Sequence, residues 1–177
     1  MRNLLFATIA AFALATPAMA LPAITGDINF DGSDSYNATT VTFIGQQGVS
    51  SATGNLATFG TCASCITALN VTYNPFSGPL DNMLSGTNGG ISFALDLESV
   101  FNVTFKPGDS LDFDGSAVLH LTNFADTKGE LFFSTQGPNN LEVSFSATAA
   151  PVPEPASLAL LGVGLLGVGF VASRKRS

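Results

Sequence analysis

Few side chains in this sequence are of types that do chemistry, and their spacing narrows the choice further. Asp27, Asn29 and Asp31, followed by Gly32, reproduce the first half of a D-x-N-x-D-G loop. In such a loop alternate oxygens converge on calcium and the glycine permits a sharp turn. The full pattern needs a bidentate glutamate at the twelfth position, and that position is Ala38. The stretch therefore reads first as solvated acids of an Asp-Gly turn. The second reading is a calcium site of different geometry, joined by Asp34, Asp112 or Asp114. No cofactor is expected otherwise.

Cys62 and Cys65 are the only cysteines, and His120 is the only histidine. In an exported protein two cysteines ordinarily pair, so a structural Cys62–Cys65 disulfide is the expectation. A redox site would need a βαβ setting, and zinc would need four ligands, of which His120 could add only one. His120 lies between Leu119 and Leu121 on the opposite beat, with no G-x-S-x-G elbow for it to serve. It reads as a surface histidine, since a general base needs an orienting partner and a nucleophile. Glycoside hydrolysis needs two facing carboxylates, and the acids present do not exclude it. Sugar sites usually offer flat aromatic platforms, yet the chain has no tryptophan and only Tyr36 and Tyr73. Its phenylalanines fall on the apolar beat and read as core. No catalytic residue is assigned, and an enzyme is not expected.

The segment that must position these residues is acidic. Of the 13 acids and 6 bases in 177 residues, residues 21–150 hold all the acids but Glu154 and only Lys106 and Lys128. That leaves 12 acids against two lysines, or −10, with no arginine. Such a body repels phosphate backbones, so no nucleic-acid partner is expected. Large side chains recur with period two along Val41–Phe43, Leu69–Tyr73, Ile91–Leu97, Phe101–Phe105, Leu119–Leu121, Leu131–Phe133 and Leu141–Phe145. Turn chemistry falls at Asp31-Gly32, Asn88-Gly89-Gly90, Pro107-Gly108, Asp114-Gly115, Lys128-Gly129 and Gly137–Asn140. Eight or nine short strands at this spacing predict an all-β domain, an antiparallel sandwich or jelly roll.

The two ends read as addresses. Met1-Arg2-Asn3, the apolar run Leu4–Ala15 and the small triplet Ala18-Met19-Ala20 form a signal peptide over 1–20, cleaved after Ala20. Residues 151–155 make a proline-rich joint that neither helix nor ladder can continue. Residues 156–173 form a hydrophobic run at the short end of a membrane span, and Arg174, Lys175 and Arg176 in the tail 174–177 would hold it from the cytoplasmic side. Within that run Gly162–Gly167 matches G-x-G-x-x-G, but no strand precedes it and no acid follows, so the match is accidental.

Val152-Pro153-Glu154-Pro155, the glycine-rich hydrophobic stretch and the basic end resemble a PEP-CTERM sorting signal. The resemblance covers the C-terminal tail alone and leaves the chemistry of residues 21–150 open. It implies export in a Gram-negative bacterium, transient membrane anchoring, and processing near Pro-Glu-Pro by exosortase, a membrane-embedded enzyme. It also implies company with exopolysaccharide and biofilm matrix. The sequence therefore predicts a structural protein of the cell surface or extracellular matrix. An exopolysaccharide-binding module, calcium-dependent or not, is the alternative, and a small matrix hydrolase comes third.

Overall fold

Alternating apolar and polar residues make strands, and long alternations make long ones. The computed structural model describes residues 20–136 and 141–147. The order is β1 (Gly26–Tyr36), β2 (Thr40–Ala52), a single 3-10 turn (Gly54–Thr58), β3 (Cys62–Ala68), β4 (Val71–Thr72) and β5 (Leu80–Asn88). There follow β6 (Ile91–Lys106), β7 (Ser110–Leu121), β8 (Thr127–Gln136) and β9 (Leu141–Ala147). Leu21–Val152 form one compact unit. Residues 1–19, 137–140 and 148–177 lie outside the described residues, and with them all of the expected signal peptide but Ala20, the Pro-Glu-Pro joint, the hydrophobic run 156–173 and the basic tail.

The sheet closes on itself. Strands run in the order β1-β9-β8-β7-β6-β5-β3-β2, and β1 also pairs β2, completing an eight-strand antiparallel ring with β4 added along β2. Apart from β4, every neighbour in the ring is a neighbour in sequence or joins the first strand to the last. This is an up-and-down barrel. The expected sandwich or jelly roll is therefore corrected, and the reason is local. Asp31-Gly32, Asp114-Gly115 and Lys128-Gly129 are not turns but interior positions of β1, β7 and β8. With those breaks removed β1 and β7 run to 11 and 12 residues, and β6 joins the Ile91–Leu97 and Phe101–Phe105 runs into one strand of 16 residues. Register shifts in β1, β2, β5 and β6 bend them enough to close.

Gly115 in β7 and Gly129 in β8 face inward, where backbone and side chains approach closely. A Cβ on Gly129 would sit 2.3 Å from the Ser146 carbonyl oxygen and 2.4 Å from the Phe145 ring. The interior is filled by side chains, as it is in small eight-stranded barrels. Phe113 stacks on Phe133 with centroids 4.4 Å apart, and Tyr73 and Phe43 extend the row on either side. A second group joins Phe59, Phe93 and Phe30. Each such ring buries about 150–250 Å² and dominates the core energetics. Alternation is apolar inside and polar outside, as β7 shows with Leu111, Phe113 and Leu119 inward and Asp112, Asp114 and His120 outward. Among the described residues no helix is long and apolar enough to cross a membrane.

Candidate functional site

With the lumen packed, the outer surface is where chemistry can be presented, and alternation decides which residues reach it. Asp27, Asn29 and Asp31 take successive outward positions on β1. A strand spreads such positions about 6.4–6.8 Å apart, so their oxygens do not converge on one ion. The Asn29 amide donates to the Ser51 hydroxyl at 2.9 Å. Asp112 and Asp114 stand on β7, with β9 and β8 between them and β1. Asp34 is inside the barrel. The candidate calcium residues are thus dispersed, and among the described residues no three His, Cys, Asp or Glu side chains are grouped to hold a metal.

Cys62 and Cys65 are joined by a disulfide across β3, with Cα atoms 5.9 Å apart. The strand they staple is weakly held. It meets β2 at only Gln47↔Ile66 and Val49↔Cys62, around a register shift, and β5 at three positions.

His120 has partners that the sequence did not reveal. Its Nε2 lies 2.9 Å from Asp96 Oδ2 and its Nδ1 lies 2.8 Å from Asp126 Oδ1. Partial burial by itself would lower the imidazole pKa, but the two carboxylate hydrogen bonds outweigh it and raise it above its ordinary value. Asp96 is fixed in turn by the Asn82 backbone N–H, which donates at 2.7 Å. With both nitrogens occupied, His120 is a clamp between β6, β7 and the turn before β8 rather than an open base.

A second polar group lies within the lumen. The Thr135 hydroxyl donates to Asp34 Oδ1 at 3.0 Å, and the Gln47 amide donates to the Gly45 carbonyl at 3.1 Å. Asp34 Oδ2, Tyr36 Oη and Gln47 Oε1 are buried without a hydrogen-bond partner among the described residues. Burial pushes the Asp34 carboxyl up, against the smaller lowering effect of the Thr135 hydroxyl and the local backbone.

The largest continuous feature is the outer wall made by β7, β8, β9 and β1. Its register aligns Asp112, Ser134, Glu142 and Asp31 in one row across the four strands. The next row is Asp114, Phe132, Ser144 and Asn29, and the third is Ser116, Glu130, Ser146 and Asp27. Six of these twelve positions are carboxylates and none is basic. Lys128, further along β8, is engaged by Glu98 at 3.0 Å. Phe101 continues the middle row onto β6. Phe101 and Phe132 are exposed, which corrects the reading of all the phenylalanines as core. Phe132 is on the polar beat, and the register shift between Leu97 and Ser99 in β6 turns Phe101 outward.

The decisive functional observation lies in the tail. Residues 151–176 match the family model of the PEP-CTERM protein-sorting motif. No curated protein and no solved structure matches the chain. The PEP-CTERM motif implies export, transient membrane anchoring and handling by an exosortase-type membrane enzyme. In this chain it follows the last barrel strand, with the Val152–Pro155 segment inside the matched range. Both described ends of the unit meet at one rim, because Gly26 at the start of β1 pairs with Ala147 at the end of β9. β1 thus starts and β9 ends at the same rim, and the turn between β6 and β7 lies at the opposite one.

Proposed function

We propose that this is a structural protein of the cell surface or extracellular matrix, delivered by its PEP-CTERM tail and working through the outside of its barrel. The match over residues 151–176 is the observation that carries the proposal. A filled lumen and a histidine held by two carboxylates support a non-enzymatic role. A leader cleaved after Ala20 would start the route, and processing near Pro153-Glu154-Pro155 would end it. The experiment is protease shaving of intact cells expressing the full chain, compared with Glu154→Ala and with a host lacking exosortase. The barrel should be surface-accessible only when both motif and enzyme are intact. Equal accessibility in all three would overturn the proposal.

One observation favours a second reading, a polysaccharide-binding module of the matrix. Exposed Phe101 and Phe132 flanking Asp114 supply the aromatic surface whose absence from the sequence reading counted against sugar binding. Calcium would join acids on this wall to an anionic polymer if that reading took its calcium-dependent form.

A further inference from the structure

The outward beat of β6, β7 and β8 leaves two phenyl rings in water. Phe101 and Phe132 are each 44% exposed, and each is the cross-strand partner of Asp114. Strands lie about 4.8 Å apart, so the rings flank one carboxylate over roughly 10 Å. Asn102, in the β6 bulge at φ 53°, donates its amide to Asp114 Oδ2 at 2.8 Å and ties the carboxylate to β6 between the two rings. Exposed apolar surface rimmed by polar groups marks a contact site.

Charge selects the occupant. The adjoining rows of β7, β8, β9 and β1 are acidic and hold no base. A second copy of this chain, or an anionic polymer, would meet like charge. An extended peptide finds no free edge, since β6, β7 and β8 are each paired on both sides. A cation near a ring face gains from the ring quadrupole, and gains more beside a carboxylate. We propose that this wall binds a polysaccharide carrying free ammonium groups, a partly de-N-acetylated amino-sugar polymer. Its ammonium groups lie against Phe101, Phe132 and Asp114, and its hydroxyls meet Ser134 and Ser144. The inference rests on the reading of the barrel as a polysaccharide-binding module displayed outside the cell, and it needs no calcium.

The test is calorimetric titration of the purified full-length chain with a soluble glucosamine oligosaccharide in its charged form. The same oligosaccharide fully N-acetylated, polylysine, and alginate with and without calcium are titrated alongside. Saturable binding of the glucosamine oligosaccharide alone is expected. Phe101→Ala with Phe132→Ala, and separately Asp114→Asn, should each weaken it about tenfold or more, while Asp81→Asn on β5 leaves it unchanged. Both phenyl rings are outside, so the double variant keeps its core, and an unchanged melting temperature verifies this. Equal binding of the N-acetylated oligosaccharide overturns the inference, and so does equal binding of polylysine with no effect of the phenyl variants. Calcium-dependent alginate binding overturns it in favour of the calcium form. No binding of any polymer, with the barrel still exosortase-dependent at the surface, sinks the inference and leaves the structural reading standing.

Discussion

The two sides of this barrel are built to different standards. From β7 to β9 the strands pair over long, unbroken registers: ten cross-strand partners join β7 to β8 and six join β8 to β9. From β2 through β3 to β5 the ring is closed by two partners on one side and three on the other. The first side needs no covalent help and carries the acidic, phenyl-bearing wall. The second carries the disulfide, a register shift and the buried Gln47. A barrel needs every seam closed, but only one wall has to hold a rigid surface pattern. The disulfide joins two residues of β3 itself, so it stiffens that strand and crosses neither of its seams.

Substitutions can break or sharpen this contrast. The largest effect belongs to the packed side. Phe133→Ala removes the ring stacked on Phe113 and touched edge-on by Phe43, and should cost about 3–5 kcal/mol. Chemical denaturation should show one lowered midpoint for the whole barrel. If only the β3 region loosened, the packed side would not be the keystone.

Next is β3 itself. Cys62→Ala with Cys65→Ala should cost about 2 kcal/mol or less, since the loop it closes is short. The loss should be local, with β3 amides exchanging faster while those of β7 and β8 keep their protection. Uniform acceleration would contradict the contrast.

Asp34→Asn should stabilise the protein by roughly 1 kcal/mol at pH 7, because a buried carboxylate with one oxygen unpartnered among the described residues is costly. Its folded pKa is raised, so the stability it contributes is present below the unfolded value near 3.8 and lost as pH rises through the folded value. The benefit of the asparagine should therefore vanish in acid. A melting-temperature series against pH checks the sign, and a destabilised variant at pH 7 would refute it.

The smallest effect is at the clamp. The folded pKa of His120 is raised, so its contribution is complete below the unfolded value near 6.5 and fades as pH rises through the folded value. With His120 about 36% exposed and Asp126 about 67% exposed, screening leaves a few tenths of a kcal/mol. His120→Gln should flatten the melting-temperature profile in that window. An unchanged profile would show that the carboxylates do not hold the imidazolium.

Much of the strand content was legible in the sequence, because period-two alternation is a local property. Phe93, Leu95, Leu97, Leu119, Phe133, Val143 and Phe145 all point inward as their beat requires. Closure was not legible, since it depends on β1 meeting both β2 and β9 across the whole chain. The Asp-Gly and Lys-Gly pairs misled for a physical reason. Glycine serves turns through its backbone freedom, but Gly115 and Gly129 serve by lacking a side chain where Leu97 and Phe145 press in.

The outward turn of Phe101 depends on the register shift after Leu97, which leaves no mark in an alternation count. Phe132 was readable, since it falls between the inward Leu131 and Phe133. Asp96 likewise sat on the polar beat of β6, but its meeting with His120 needed the β6–β7 register. The address was legible because it is a linear motif, matched over residues 151–176.

The claim that matters most is that this barrel is cargo for a sorting pathway. It is tested most directly by the intact mass of the protein recovered from the outside of cells with and without exosortase. With the enzyme, the mass should show loss of the residues following the Pro-Glu-Pro region. Surface protein that keeps its full tail whether or not exosortase is present would contradict the account.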